Sequence, residues 1–88
     1  DMTISRDAFV RNLPGAVAHA PFCAHGDDFV HDGAERGWRI RLTPLPDRVI
    51  ASLALERHAV EIYLRGYDGA GERAFLERFE LHFRRGGG

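Results

Sequence analysis

Three runs in the middle of the chain alternate apolar and polar residues: Trp38-Arg39-Ile40-Arg41-Leu42, Val49-Ile50-Ala51-Ser52-Leu53-Ala54-Leu55 and Val60-Glu61-Ile62-Tyr63-Leu64. A period of two is that of a strand with one buried face. Opposed residues of an antiparallel pair share a face, so the pairing can be tested for conflict. A turn over Pro44-Leu45-Pro46-Asp47 sets Leu42 opposite Val49, Ile40 opposite Ala51 and Trp38 opposite Leu53. A turn at Arg57-His58, or a longer one in the same register, sets Leu55 opposite Val60, Leu53 opposite Ile62 and Ala51 opposite Leu64. Both pairings keep one face apolar, and strands are expected at about 38–43, 48–56 and 59–65.

The flanks change period. Ile4, Ala8, Phe9 and Leu13 recur at helical spacing, with Ser5 or Thr3 as N-cap and Pro14-Gly15 as a stop, which predicts a helix over 4–13. Phe75, Leu76, Phe79 and Phe83 form an apolar stripe after the turn residues Tyr67-Asp68-Gly69. A second helix over 70–85 follows, with Asp68 as N-cap and Gly86 as C-cap. Residues 14–37 are expected as a loop that can hold an edge strand: Ala16 to Pro21 is small and apolar, a further helical turn or a buried connector, and Phe22 to Gly37 is rich in Gly, Asp and His, with Phe29-Val30-His31 as the candidate strand. The expected fold is a two-layer α+β sandwich, an antiparallel three- to four-stranded meander with both helices on its apolar face, in the order α-(β)-β-β-β-α.

Composition narrows the class. Eighty-eight residues form one small domain over 1–88, with a hydrophobic fraction of 44% and a charged fraction of 28%, values of a globular chain. No apolar run approaches a membrane span, and charges at Arg6, Asp7 and Arg11 argue against a secretory leader, so a cytoplasmic protein without membrane association is expected. The net charge of −1 supplies no general attraction to nucleic acid. Every basic residue is arginine, which excludes lysine Schiff-base chemistry. The single cysteine, Cys23, allows no internal disulfide.

The polar face of the meander carries the first candidate site. Arg39, Arg41, Arg48 and Arg65 gather with Tyr63 toward one end of that face, and Glu56 and Glu61 toward the other. Guanidinium forks at such a spacing suit a phosphate, a carboxylate or an acidic protein surface. A second cluster, His19, Cys23, His25 and His31 with Asp27, Asp28 and Asp32, holds metal-ligating residue types, but its spacing matches no paired zinc signature. Cys23 beside His25 lacks an orienting third group, and Asp27-Asp28 point apart on an extended chain. No cofactor and no enzymatic activity are expected. The reading that follows is a non-catalytic interaction module using the arginine-bearing face or a sheet edge, with an unknown protein partner or self-association.

Three resemblances accompany these residues. Arg84-Arg85-Gly86-Gly87-Gly88 resembles the diglycine ends of ubiquitin-like modifiers and sulfur carriers, though it follows a predicted helix where those families have a strand; a flexible tail over 86–88 is expected. The element order resembles the double-stranded RNA-binding domain, which implies RNA binding through Arg6, Arg11 and Arg73. Gly71-Glu72-Arg73-Ala74-Phe75 lacks the lysine cluster of that family, and Pro44-Leu45-Pro46-Asp47 lacks its loop histidine. Trp38-Arg39-Ile40, Leu42 with Pro44 to Arg48, and Glu72-Arg73-Ala74-Phe75-Leu76 through Arg85-Gly86-Gly87-Gly88 resemble small uncharacterised bacterial proteins, a likeness that implies no activity.

Overall fold

The computed structural model describes residues 2–51 and 53–86. It contains helix α1 (Arg6–Ala16), strands β1 (Cys23–His25), β2 (Asp28–Asp32), β3 (Gly37–Ile50) and β4 (Leu53–Arg65), and helix α2 (Gly69–Gly86). The four strands form one antiparallel sheet in chain order. Met2 adds a single bridge to His58 on the outer side of β4. The α+β sandwich with flanking helices is as the sequence predicts, and the edge-strand region supplies two strands rather than one.

Helix α1 starts where Ser5 accepts a hydrogen bond from the Ala8 amide, and α2 where Asp68 Oδ1 accepts from the Gly71 amide at 2.7 Å. Helix α1 runs through Pro14 to Ala16 instead of stopping at Leu13. Proline removes one donor near the helix end, where the turn is held by its neighbours: Val17 N–H bonds Leu13 O at 3.1 Å. The core lies between the helices and one face of the sheet. Phe9, Leu13, Phe29, Ile40 and Leu42 are fully enclosed, and the α2 stripe closes over them, with Phe83 stacked on Phe9 at 4.8 Å and Phe79 beside it.

The register of the central strands departs from the expected meander. Pro44 to Asp47 is not a turn: β3 runs through it, and the chain reverses at Ala51, whose φ of 48° lies in the left-handed region used by tight hairpin turns. Trp38, Ile40 and Leu42 therefore oppose Leu64, Ile62 and Val60 directly. The physical reason is that prolines lock φ at a value compatible with extended chain and push the preceding residue to the same region. A β-bulge between Leu45 and Arg48 absorbs the irregularity. Arg57-His58 is likewise not a turn; both residues sit within β4, and the His58 ring is buried, with Nδ1–H donating to Ile4 O at 2.8 Å.

Strands β3 and β4 thus outrun the sheet. β2 pairs with β3 only as far as Arg41, with one further bond from the Leu42 amide to Asp27 O. Beyond that point the hairpin continues as a two-stranded arm, and Val49, Ile50 and Leu53 on it are 69%, 48% and 60% exposed. The expected burial of the 49–55 run against the helices is corrected accordingly.

Candidate functional site

Alternation along β4 assigns the two faces. His58, Val60, Ile62 and Leu64 share the helix-covered side, and Arg57, Ala59, Glu61, Tyr63 and Arg65 the open one. On β3, Arg39 opposes Tyr63 and Arg41 opposes Glu61, and on β2, Asp28 opposes Arg41. The open face therefore carries Arg39, Arg41, Tyr63 and Arg65, with Glu61 and not Arg65 across from Arg41. Arg48 lies farther out on the arm, opposite Leu55; its side chain is outside the described residues.

The charge distribution differs from the expected separation of arginines and glutamates. Asp28 sits between two arginines: Oδ1 accepts from Arg41 Nε at 3.0 Å and Oδ2 from Arg39 Nη2 at 3.2 Å. Glu61 stands across from Arg41 and accepts the Tyr63 hydroxyl hydrogen. Arg39 also lies over the Tyr63 ring, 5.7 Å from its centre. Arg65 Nη2 bonds Asp32 Oδ1 at 3.1 Å and Gly33 O at 2.8 Å. The hydrogen bond from Arg41, with help from Arg39, holds the Asp28 carboxyl below its ordinary range, and the same contact raises the Arg41 guanidinium. Glu61 raises the Tyr63 phenol, chiefly through the shared hydrogen bond. An anionic ligand on this face would have to displace Asp28, so the patch is a network of paired charges rather than a row of free forks.

The metal-ligand types do not converge. Cys23 and His25 are exposed on β1, opposite Val30 and Asp28, and so lie on the open side of the sheet. His31 belongs to the other side: its Nδ1–H donates to Pro21 O at 2.6 Å and its ring packs 5.8 Å from Trp38. His19 is exposed in the left-handed link after α1, at φ 58°. Among the described residues no three His, Cys, Asp or Glu side chains come together as a metal-holding group, because strand alternation sends His31 away from Cys23 and His25.

Of the arginines implied by the RNA-binding resemblance, Arg6 is engaged by Asp27 at 3.0 Å and by Gly26 O at 2.7 Å, while Arg11 and Arg73 are exposed on α1 and α2. A groove of about 590 Å3 separates Met2, Thr3 and Ile4 from Leu76, Phe79 and Phe83. Its polar lining is Thr3, Glu80 and Arg84, the last two bonded to each other at 2.7 Å. No helix among the described residues is long and apolar enough to cross a membrane.

Two features escape sequence reasoning. Burial of His58 depends on Met2 and Ile4, far away in the chain, and carries no local signal. The arm is hidden by Pro44-Leu45-Pro46-Asp47, whose residue types suit a turn as well as an extended strand; the lack of a glycine there is the one sign against a tight turn. No protein-family profile matches the chain, and neither a curated protein nor a solved structure is significantly similar to it.

Proposed function

We propose that this protein is a small non-catalytic binding module that engages a partner protein through the sheet. The observation that carries the reading is the projecting arm with Val49, Ile50 and Leu53 in solvent. Isolated exposed apolar residues are ordinary, but a patch on an extension that contributes nothing to the core is the usual mark of a contact surface. Register places Ile50, Leu53 and Leu55 on the same side as Tyr63, Arg39 and Arg41. An apolar tip beside a charge-paired surface has the make-up of an interface centre with a polar rim. The non-catalytic reading is supported by the charges of the open face, which are paired with one another in solvent.

The test is a double substitution, Ile50→Asp with Leu53→Asp. Protein purified from its host with native binding partners should lose them in the variant, while far-ultraviolet circular dichroism stays unchanged. Equal recovery of the same partners by both forms would refute the reading.

A further inference from the structure

Among the described residues the sheet offers strand edge along β1 and the end of β2, along distal β3 and along β4, and the first two are short or interrupted. β1 closes one margin with only three exposed residues, too short to template a long pairing. The outer edge of distal β3 is blunted by Pro44. The Leu42 amide points to that side, since it bonds Asp27 O at 2.9 Å, and two residues onward Pro44 has no N–H to offer. β4 is different. The two bonds between Met2 and His58, at 2.7 and 2.8 Å, show that the His58 backbone groups face away from β3. Alternation turns those of Val60, Ile62 and Leu64 the same way, and among the described residues no strand covers them.

We propose that this edge of β4 pairs with the same edge of a second copy of the chain, antiparallel and centred on Tyr63. The segment Glu61-Ile62-Tyr63-Leu64-Arg65 complements itself when reversed. A two-fold axis at Tyr63 sets Ile62 opposite Leu64 of the second copy and Glu61 opposite its Arg65, with the symmetric pairs on the other side. The outward backbone groups of Ile62 and Leu64 become the hydrogen-bonded pairs of the ladder. Their half-buried side chains meet on the helix side, and the opposite charges meet on the open side. Other registers lose this match. Centring on Glu61 opposes like charges, and centring on Ile62 sets Arg65 against Ala59. The Tyr63 register also leaves Met2, at His58, beyond the paired segment. Arg65 now bonds Asp32, whose side chain is 88% exposed, and Gly33 O, while Glu61 accepts the Tyr63 hydroxyl; all three contacts lie in solvent, and pairing across the axis exchanges them.

This inference is independent of the arm. Sedimentation equilibrium should show a dimer of the intact chain. Glu61→Arg alone and Arg65→Glu alone each oppose like charges twice, and each should weaken dimerisation about tenfold or more. Mixing the two variants restores both opposite-charge pairs and should restore association, which controls for any folding cost within each chain. Tyr63→Cys in a Cys23→Ser background places the new thiols in a close non-hydrogen-bonded pair, about 4.5 Å between Cα atoms, within disulfide reach, so mild oxidation should yield a covalent dimer. A wild-type chain that stays monomeric, a mixture no tighter than its components, or the absence of the cross-link overturns the proposal. The arm variant Ile50→Asp with Leu53→Asp should still dimerise; loss of the dimer there would assign self-association to the arm and also overturn it.

Discussion

Ile40 and Ile50 lie on the same strand and have the same side chain, yet the fold gives them opposite weight. Ile40 is fully enclosed in the core, whereas Ile50 is 48% exposed on the arm. Truncation of a buried Ile to Ala removes its transfer free energy and leaves a cavity, together about 2–5 kcal/mol. At Ile50 half of the side chain is already in water and no packed shell surrounds the rest, so the cost should be under about 1 kcal/mol. A domain of this length has roughly 5–10 kcal/mol in total, so Ile40→Ala forfeits a large share of it and Ile50→Ala little. Urea unfolding followed by fluorescence of the single, buried Trp38 measures both, with unchanged slopes required for the comparison. Equal losses at the two positions would mean that the 49–55 run packs against the core. The arm would then not exist as described.

Three further outcomes follow from particular contacts. Ala51→Gly removes the side-chain penalty of a left-handed turn position, so it should stabilise the protein by about 1 kcal/mol and raise the melting temperature by roughly 4–8 °C in a thermal scan; a lowered midpoint would contradict the turn. His58→Ala leaves the Ile4 carbonyl without its donor and opens a void, for a loss of at least about 1–3 kcal/mol by urea midpoint, and a neutral effect would refute the buried hydrogen bond. Asp28 titrates below its ordinary 3.8 because the arginine contacts favour the carboxylate. Its stabilising contribution is therefore complete above the unfolded value and lost as pH falls through the lower folded one. A carboxyl resonance with an ordinary midpoint, or an Asp28→Asn variant with the parent's acid sensitivity, would refute the pairing.

The parts of the fold legible in the sequence are those whose cause is local. Phe75, Phe79 and Phe83 repeat at helical spacing, and Ser5 and Asp68 cap the helices they precede. Trp38, Ile40 and Leu42 share a face with Val60, Ile62 and Leu64 whether the two runs pair directly or through a middle strand, so the face assignment survives the changed register. That middle strand was the costly inference. The run at 49–55 alternates as a single strand would, but the chain reverses inside it at Ala51, and alternation alone neither locates that reversal nor tells whether the next layer is core or water. β1 carried no pattern at all, because Cys23, Ala24 and His25 are all exposed. The candidate face is half legible: the arginines can be aligned by period, but Asp28 reaches them through the β2–β3 register, which is closed by the four-residue connection Gly33-Ala34-Glu35-Arg36 and not by a signature two-residue turn.

Among the described residues, the arm beyond Leu45 and Arg57 pairs strand to strand only with itself, and Glu56 alone is seen to reach the body, at the Arg6 amide and the buried His58 ring. Its length is consequently uncoupled from the packing of the body. Strand periodicity quantises the change: residues must be added two to each strand to keep the tip facing the same way, and each such step carries it outward by about 7 Å. One residue per strand would reverse the tip. Reach and orientation of the contact surface are thus adjustable in sequence while every core residue stays in register, a form of variation that the enclosed half of the hairpin could not tolerate.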